Sequence, residues 1–211
     1  YHAVYSQPYN LQSPDGKLNL SFILNNDVPT YTVKSRTRIV LAQSRLGFRF
    51  AQKQTGKYRA TDHKYSEINE SYKTIWWKNK HVENHANEMT VFLEEIAGRG
   101  LKINIIFRAY NDGIAFRYEI PDQSSFKDFE ILDDLTEFSF DDDYLWWSAN
   151  GERDNLGPVS LNILPESVYA PMVLELSNHL YVGLHEAAIY DFANFKFKKS
   201  RMNTLQCDLQ G

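Results

Sequence analysis

Residues 107 to 120 read FRAYNDGIAFRYEI, with an apolar side chain at every second position on both sides of Asn-Asp-Gly. A period of two places alternate side chains on one face of a strand, and a helix cannot bury such a pattern. Asp112-Gly113 is expected to supply the positive φ of a tight hairpin turn. Ile103, Ile105, Phe107 and Ala109 then face one side, and Ile114, Phe116 and Tyr118 line the returning strand. With the preceding MTVFLEEIAGRGLKI, the segment parses as three consecutive antiparallel strands that turn at residues 98–100 and 111–113.

The same period recurs along the chain. KLNLSFILNN alternates Leu18, Leu20 and Phe22, and PTYTVKSRTRIVL continues the pattern. FKDFEILDDLTEFSFD and VLELSNHLYVGLHEAAIYDFANFKFKK repeat it near the end. The polar stretch from Gln52 to Ser71 reads instead as a long connection or a weakly paired hairpin. Sustained 3.6-residue periodicity, a fixed repeat and a low-complexity linker are all missing. The expectation is an all-β, antiparallel sandwich over residues 1–211 as one domain, with few or no long helices.

A chain of 211 residues that is 43% hydrophobic and 14% aromatic is long enough for one sizeable core. Its formal net charge of -4 gives no basic face to a nucleic acid. Lys196, Lys198, Lys199 and Arg201 form a local basic cluster that reads as a solvated strand edge. The single cysteine, Cys207, excludes an intramolecular disulfide. No apolar run approaches the roughly 18 to 20 residues of a membrane-spanning helix, and the first residues lack the pattern of a secretory leader.

Candidate chemistry is sparse. His81 and His85 have helical metal-ligand spacing, but on a strand their imidazoles would stand about 13 Å apart, too far to share an ion. Asp141, Asp142 and Asp143 lack the alternating ligands and glycine of a calcium loop and read as a solvated turn. Trp76-Trp77 and Trp146-Trp147 offer indole faces that stack on sugar rings, with core packing as the competing reading. Neither a serine elbow nor a phosphate-cradling glycine loop is present. Pattern alone therefore stops at a β-sandwich with a possible carbohydrate-binding role.

SPDGKLNLSFIL, SRLGF, NEMTVFLEE, LKINIIFRAYNDGIAFRYEIP, TEFSF and YVGLHEAAIYDFANF, in this order, resemble the N-terminal domain of glycoside hydrolase family 97. FRAYNDGIAFRYE and LHEAAIYDF carry the resemblance most specifically, whereas KTIWWKNKHVENHANE matches loosely and WWSANGERDNLGPVS looks short. The resemblance implies a β-super-sandwich of the galactose-mutarotase type, placed before a catalytic (β/α)₈ barrel on the same polypeptide. It also implies an exported, periplasmic or secreted, α-glycosidase: a retaining α-galactosidase or a calcium-dependent inverting α-glucosidase.

On this resemblance the catalytic carboxylates belong to the barrel and none is expected within residues 1–211. Glu186 of LHEAAIYDF matches the acidic position that ligates calcium in the full-length enzyme, if the chain is of the calcium-dependent branch. Trp146, Trp147 and His185 are the candidate contacts to an oligosaccharide substrate. Two other readings stand beside this one: an independent carbohydrate-binding module using the Trp pairs, and a mutarotase or epimerase using His81, His85 and His185.

Overall fold

The structure is a computed structural model that describes residues 7–76, 78–149, 154–177, 180–190 and 192–209. Among these residues every regular element is a strand, and each strand pairing is antiparallel. The chain divides into two compact units, Tyr1–Arg38 with Lys53–Asp128, and Ile39–Gln52 with Phe129–Gly211. Strands are numbered along the chain.

In the first unit, β1 (Tyr9–Gln12), β2 (Leu18–Asn25) and β3 (Val28–Ser35) lie side by side in that order. A second sheet runs β6 (Tyr58–Lys73), β7 (His81–Glu95), β8 (Lys102–Ala109) and β9 (Ile114–Glu119). Alternation does what the sequence requires of it. Leu20, Phe22, Tyr31 and Val33 from the first sheet and Met89, Val91, Ile105 and Phe107 from the second are buried. Their rings meet across the layers, with Phe22 5.7 Å from Phe107 and Tyr31 5.4 Å from Phe116 between centroids. Each such side chain contributes about 1.5–3 kcal/mol by leaving water.

One turn differs from expectation. Asn111, Asp112 and Gly113 have no positive φ, because pairing closes at Ala109 with Ile114 and leaves a longer loop, held by Tyr110 N–H donating to Gly113 O at 2.8 Å. The tight turn with positive φ lies instead at Asn26 and Asp27, with φ of 50° and 68°, between the paired residues Asn25 and Val28. The turn after β7 does use its glycines: Gly98 and Gly100 have φ of 87° and 68°. It wraps the buried carboxylate of Glu95, which accepts from Thr55 N at 2.5 Å, Thr55 Oγ1 at 3.1 Å and Arg99 N at 3.3 Å. A methyl group on Gly98 would meet that carboxylate at 2.9 Å.

Of the two readings of the polar stretch, a long connection or a weakly paired hairpin, the hairpin is the one found, since most of the stretch is a strand paired with β7. β6 pairs with β7 in continuous register from Tyr58 opposite Glu95 to Lys73 opposite His81, with one shift between Ala60 and Asp62. The backbone ladder supplies what the side chains, exposed along most of the strand, do not advertise.

The second unit is built of shorter pieces. β4 (Arg38–Arg45) leads into it, β5 (Phe48–Phe50) pairs with β10 (Ile131–Asp134), and one sheet runs β11 (Glu137–Ser139), β18 (Thr204–Leu209), β17 (Phe195–Arg201) and β14 (Val168–Tyr169). Another runs β13 (Asn155–Ser160), β12 (Leu145–Ala149), β15 (Met172–Ser177) and β16 (Leu180–Leu184). Trp146, Met172, Leu174, Phe197, Leu205 and Cys207 are buried here, and burial pushes the Cys207 thiol well above its ordinary pKa.

β14 pairs with β17 only at Phe197 and Lys196, so among the described residues Lys198, Lys199 and Arg201 have β18 as their paired neighbour and lie along an edge, as expected. Lys198 Nζ reaches Asp208 Oδ1 at 2.8 Å, Lys199 Nζ donates to Asn162 O at 2.9 Å and Arg201 Nη1 to Glu137 Oε1 at 2.6 Å. Lys196 Nζ sits 4.3 Å from the centre of the Tyr169 ring.

Candidate functional site

β16 delivers the segment that follows it, His185 to Tyr190, out of the sheet and into irregular backbone. Leu184 anchors its start in the core, and Ala188 adopts φ of 51°, which re-aims the chain within the loop. Glu186 is half-buried, and its Oε1 accepts from Phe195 N at 3.1 Å, so the carboxylate clasps the loop to the first residue of β17. Beyond it the chain exposes Ile189, Tyr190 and Phe192, with Tyr190 83% accessible. Phe192 also stacks within 6.0 Å of Phe48.

Burial is the main force raising the Glu186 pKa, opposed by the Phe195 N–H bond and by His185, and Asp134 adds to the rise by like-charge repulsion. Asp134 is itself buried, and desolvation raises its pKa against a hydrogen bond of 2.8 Å from Thr136 N. The sequence reading missed Asp134. Period two from Phe129 and Ile131 puts Asp133 rather than Asp134 on the apolar face, and the pairing shift between Ile131 and Asp133 hides the buried acid from a reader of the sequence.

A desolvated carboxylate with raised pKa, engaged by a single N–H, gains from a cation and can give oxygen to a hard ion. Calcium takes about 6 to 8 oxygen ligands. Among the described residues no group of three or more His, Cys, Asp or Glu side chains is arranged to hold a metal ion.

The other candidates separate. Trp146 is 1% exposed, pairs with Leu174 and donates from its Nε1 to Ser160 O at 3.2 Å, so its indole is core with a satisfied polar edge. Trp147, one residue on, faces the other side of β12, half-buried, with its ring 6.5 Å from that of the exposed Tyr181. His185 is exposed beside Glu186. Trp76 is 92% exposed, and Trp77 lies outside the described residues.

His81 and His85 both lie on β7, where His85 Nε2 meets Glu67 Oε1 at 3.0 Å. The aspartates form a turn: Asp143 accepts from Ser160 Oγ at 2.5 Å and Asn162 N at 3.0 Å, which holds its carboxyl below the ordinary range, and Asp141 accepts from the Tyr144 hydroxyl at 2.8 Å.

The family model described as Glycosyl-hydrolase 97 N-terminal matches residues 11–210. A retaining alpha-galactosidase of Bacteroides thetaiotaomicron is 24% identical over 139 residues, 64% of this chain and 19% of that protein. A Glycoside Hydrolase Family 97 enzyme from Pseudoalteromonas sp., solved with panose and again with acarbose, superposes with a TM-score of 0.87 at 27% identity, over 95% of this chain and 32% of the enzyme. A beta-arabinopyranosidase at 22% identity, with a TM-score of 0.80, shares the fold. The chain thus spans about a third or less of the relatives it matches. With nearly its whole length matched by one family model, the chain belongs to the N-terminal domain family of glycoside hydrolase family 97.

Proposed function

We propose that this chain is the non-catalytic domain of an exported α-glycoside hydrolase, an α-glucosidase or α-galactosidase, and that it packs on a catalytic barrel of the same polypeptide to complete the active site. Glu186 lends one carboxylate oxygen to a calcium ion in that assembled site, and His185 and Trp147 stand as candidate contacts to the oligosaccharide. The observation that carries this reading is the Glu186 clasp, a half-buried carboxylate at the head of a segment that exposes Ile189, Tyr190 and Phe192. Such a segment has the composition of an inter-domain contact, and a ligand supplied by one domain to the other ties docking to site assembly. Its place in a periplasmic or secreted enzyme is part of the same proposal.

The test is Glu186→Gln in the full-length enzyme, which removes the charge and nearly keeps the shape. Calcium affinity is expected to fall by about tenfold or more, together with turnover of aryl α-glucosides or α-galactosides, while the far-ultraviolet circular dichroism is unchanged. Equal affinity and equal turnover would return Glu186 to the role of a loop clasp. A carbohydrate-binding module is the second reading, and it rests on the exposure of Trp76 rather than on the buried Trp146.

A further inference from the structure

The hairpin of β6 and β7 extends past its own sheet. β8 accompanies β7 as far as Ala109 opposite Asn87, whereas β6 continues to Lys73 opposite His81. Residues 68–73 and 81–86 therefore form a two-stranded arm about 20 Å long, at roughly 3.3 Å per residue. Among the described residues no third strand pairs with it.

An isolated two-stranded ribbon is marginal in water. This one is braced by Asn84 Nδ2 donating to Glu70 Oε2 at 3.2 Å and by His85 Nε2 against Glu67 Oε1 at 3.0 Å. Its turn is closed by Thr74, whose N–H donates to Lys80 O at 3.1 Å and whose Oγ1 donates to Asn79 O at 2.6 Å.

Ile75 is 86% exposed and Trp76 92% exposed at the tip of the arm. Residues 71–82 contain Lys73, Lys78 and Lys80 and no Asp or Glu, within a chain of net charge -4. Leaving two large apolar side chains bare at the end of a braced arm forgoes burial worth about 1.5–3 kcal/mol each, which a receiving surface would recover.

We propose that this tip is a docking finger whose Ile75 and Trp76 seat in an apolar pocket, rimmed by carboxylates, on the catalytic barrel of the same polypeptide. The proposal rests on the domain role given above. Two observations select this occupant. The matched region is 32% of the solved family enzyme, so most of such an enzyme lies beyond this domain and needs surfaces to pack on. The turn carries Lys73, Lys78 and Lys80 without an acid in residues 71–82, a charge that a rim of carboxylates would match, and aromatic anchors held in a pocket dominate the energetics of interfaces.

Hydrogen exchange on the full-length enzyme tests it. Amides of residues 75–79 are expected to exchange at least about tenfold more slowly than unprotected peptide. Trp76→Ala combined with Lys78→Glu is expected to abolish that protection and leave the amides of β8 unchanged. Unprotected exchange in the wild type overturns the proposal. So does protection that needs added phosphatidylglycerol vesicles, added maltooligosaccharide or rising protein concentration, since these point to a lipid surface, a sugar or a second copy.

Hydrolysis and calcium binding are read on the same sample. An active, calcium-dependent enzyme with an unprotected tip removes the finger alone. A protected tip in a protein without hydrolase activity removes the glycosidase reading and keeps the docked arm.

Discussion

The two units solve the problem of a β core differently. Among the described residues the first buries Ser13, Thr30 and Glu95 as its polar side chains, and its ladders there contain one register shift. The second buries Ser44, Asp134, Thr136, Glu137, Ser139, Ser148 and Thr204, and register shifts interrupt four of its pairings. Long alternating strands need little beyond apolar volume. Short, shifted strands leave backbone and side-chain polar groups inside, and each of these must find a partner. The Glu186 segment springs from the second kind of structure. A unit already organised around local irregularity can aim a carboxylate out of a strand end with less disruption than a regular ladder can.

If the first unit is held chiefly by apolar volume, Phe107→Ala is the largest lesion expected, costing about 3–5 kcal/mol in urea unfolding. Phe107→Leu should recover much of that loss. Equal losses from the two variants would break the comparison on the side of the first unit.

The second unit should instead be sensitive to one added methyl group. Gly157 has φ of 101°, and a Cβ there would stand 2.2 Å from Trp146 O. Gly157→Ala should therefore cost about 2–3 kcal/mol through strain and a backbone shift, and should change the near-ultraviolet circular dichroism of the Trp146 environment. A neutral substitution would show that the bulge between β12 and β13 adapts freely.

The smallest effect sharpens the role of buried polar groups. The folded pKa of Asp134 is raised above its ordinary value, so over the window between the two the folded state holds more protons than the unfolded one. Stability from this group falls as pH rises through that window. Asp134→Asn should flatten this part of the profile, with the variant gaining on the wild type from about pH 4 toward neutrality. Parallel unfolding curves for the two proteins at acid and neutral pH would remove Asp134 as a source of the slope.

The sequence made the first unit legible where one face is buried. Ile103, Ile105, Phe107 and Ala109 are on the core side of β8, as their spacing requires. Turn chemistry was less transparent, because Asp112-Gly113 sits in a longer loop while Asn26-Asp27 closes the tight hairpin. Trp146 is buried and Trp76 bare, a difference set by tertiary packing that two similar Trp-Trp pairs cannot express. Glu186 is singled out by family resemblance alone, since an acid at a strand end has no spacing that distinguishes a ligand from a solvated carboxylate. Asp134 influences it from a strand about fifty residues earlier in the chain, a relation visible only once the chain is folded.

β6 carries a different lesson in its composition. Among the described residues it is an outer strand of sixteen residues with β7 as its strand neighbour, so one side of its backbone is a long row of groups able to recruit a foreign strand. Asp62, Lys64, Glu67, Glu70 and Lys73 interrupt that invitation with charges of both signs. The residues that disguise β6 as a loop to a reader of sequence also disguise it from other chains. Camouflage against aggregation and camouflage against prediction are here the same property.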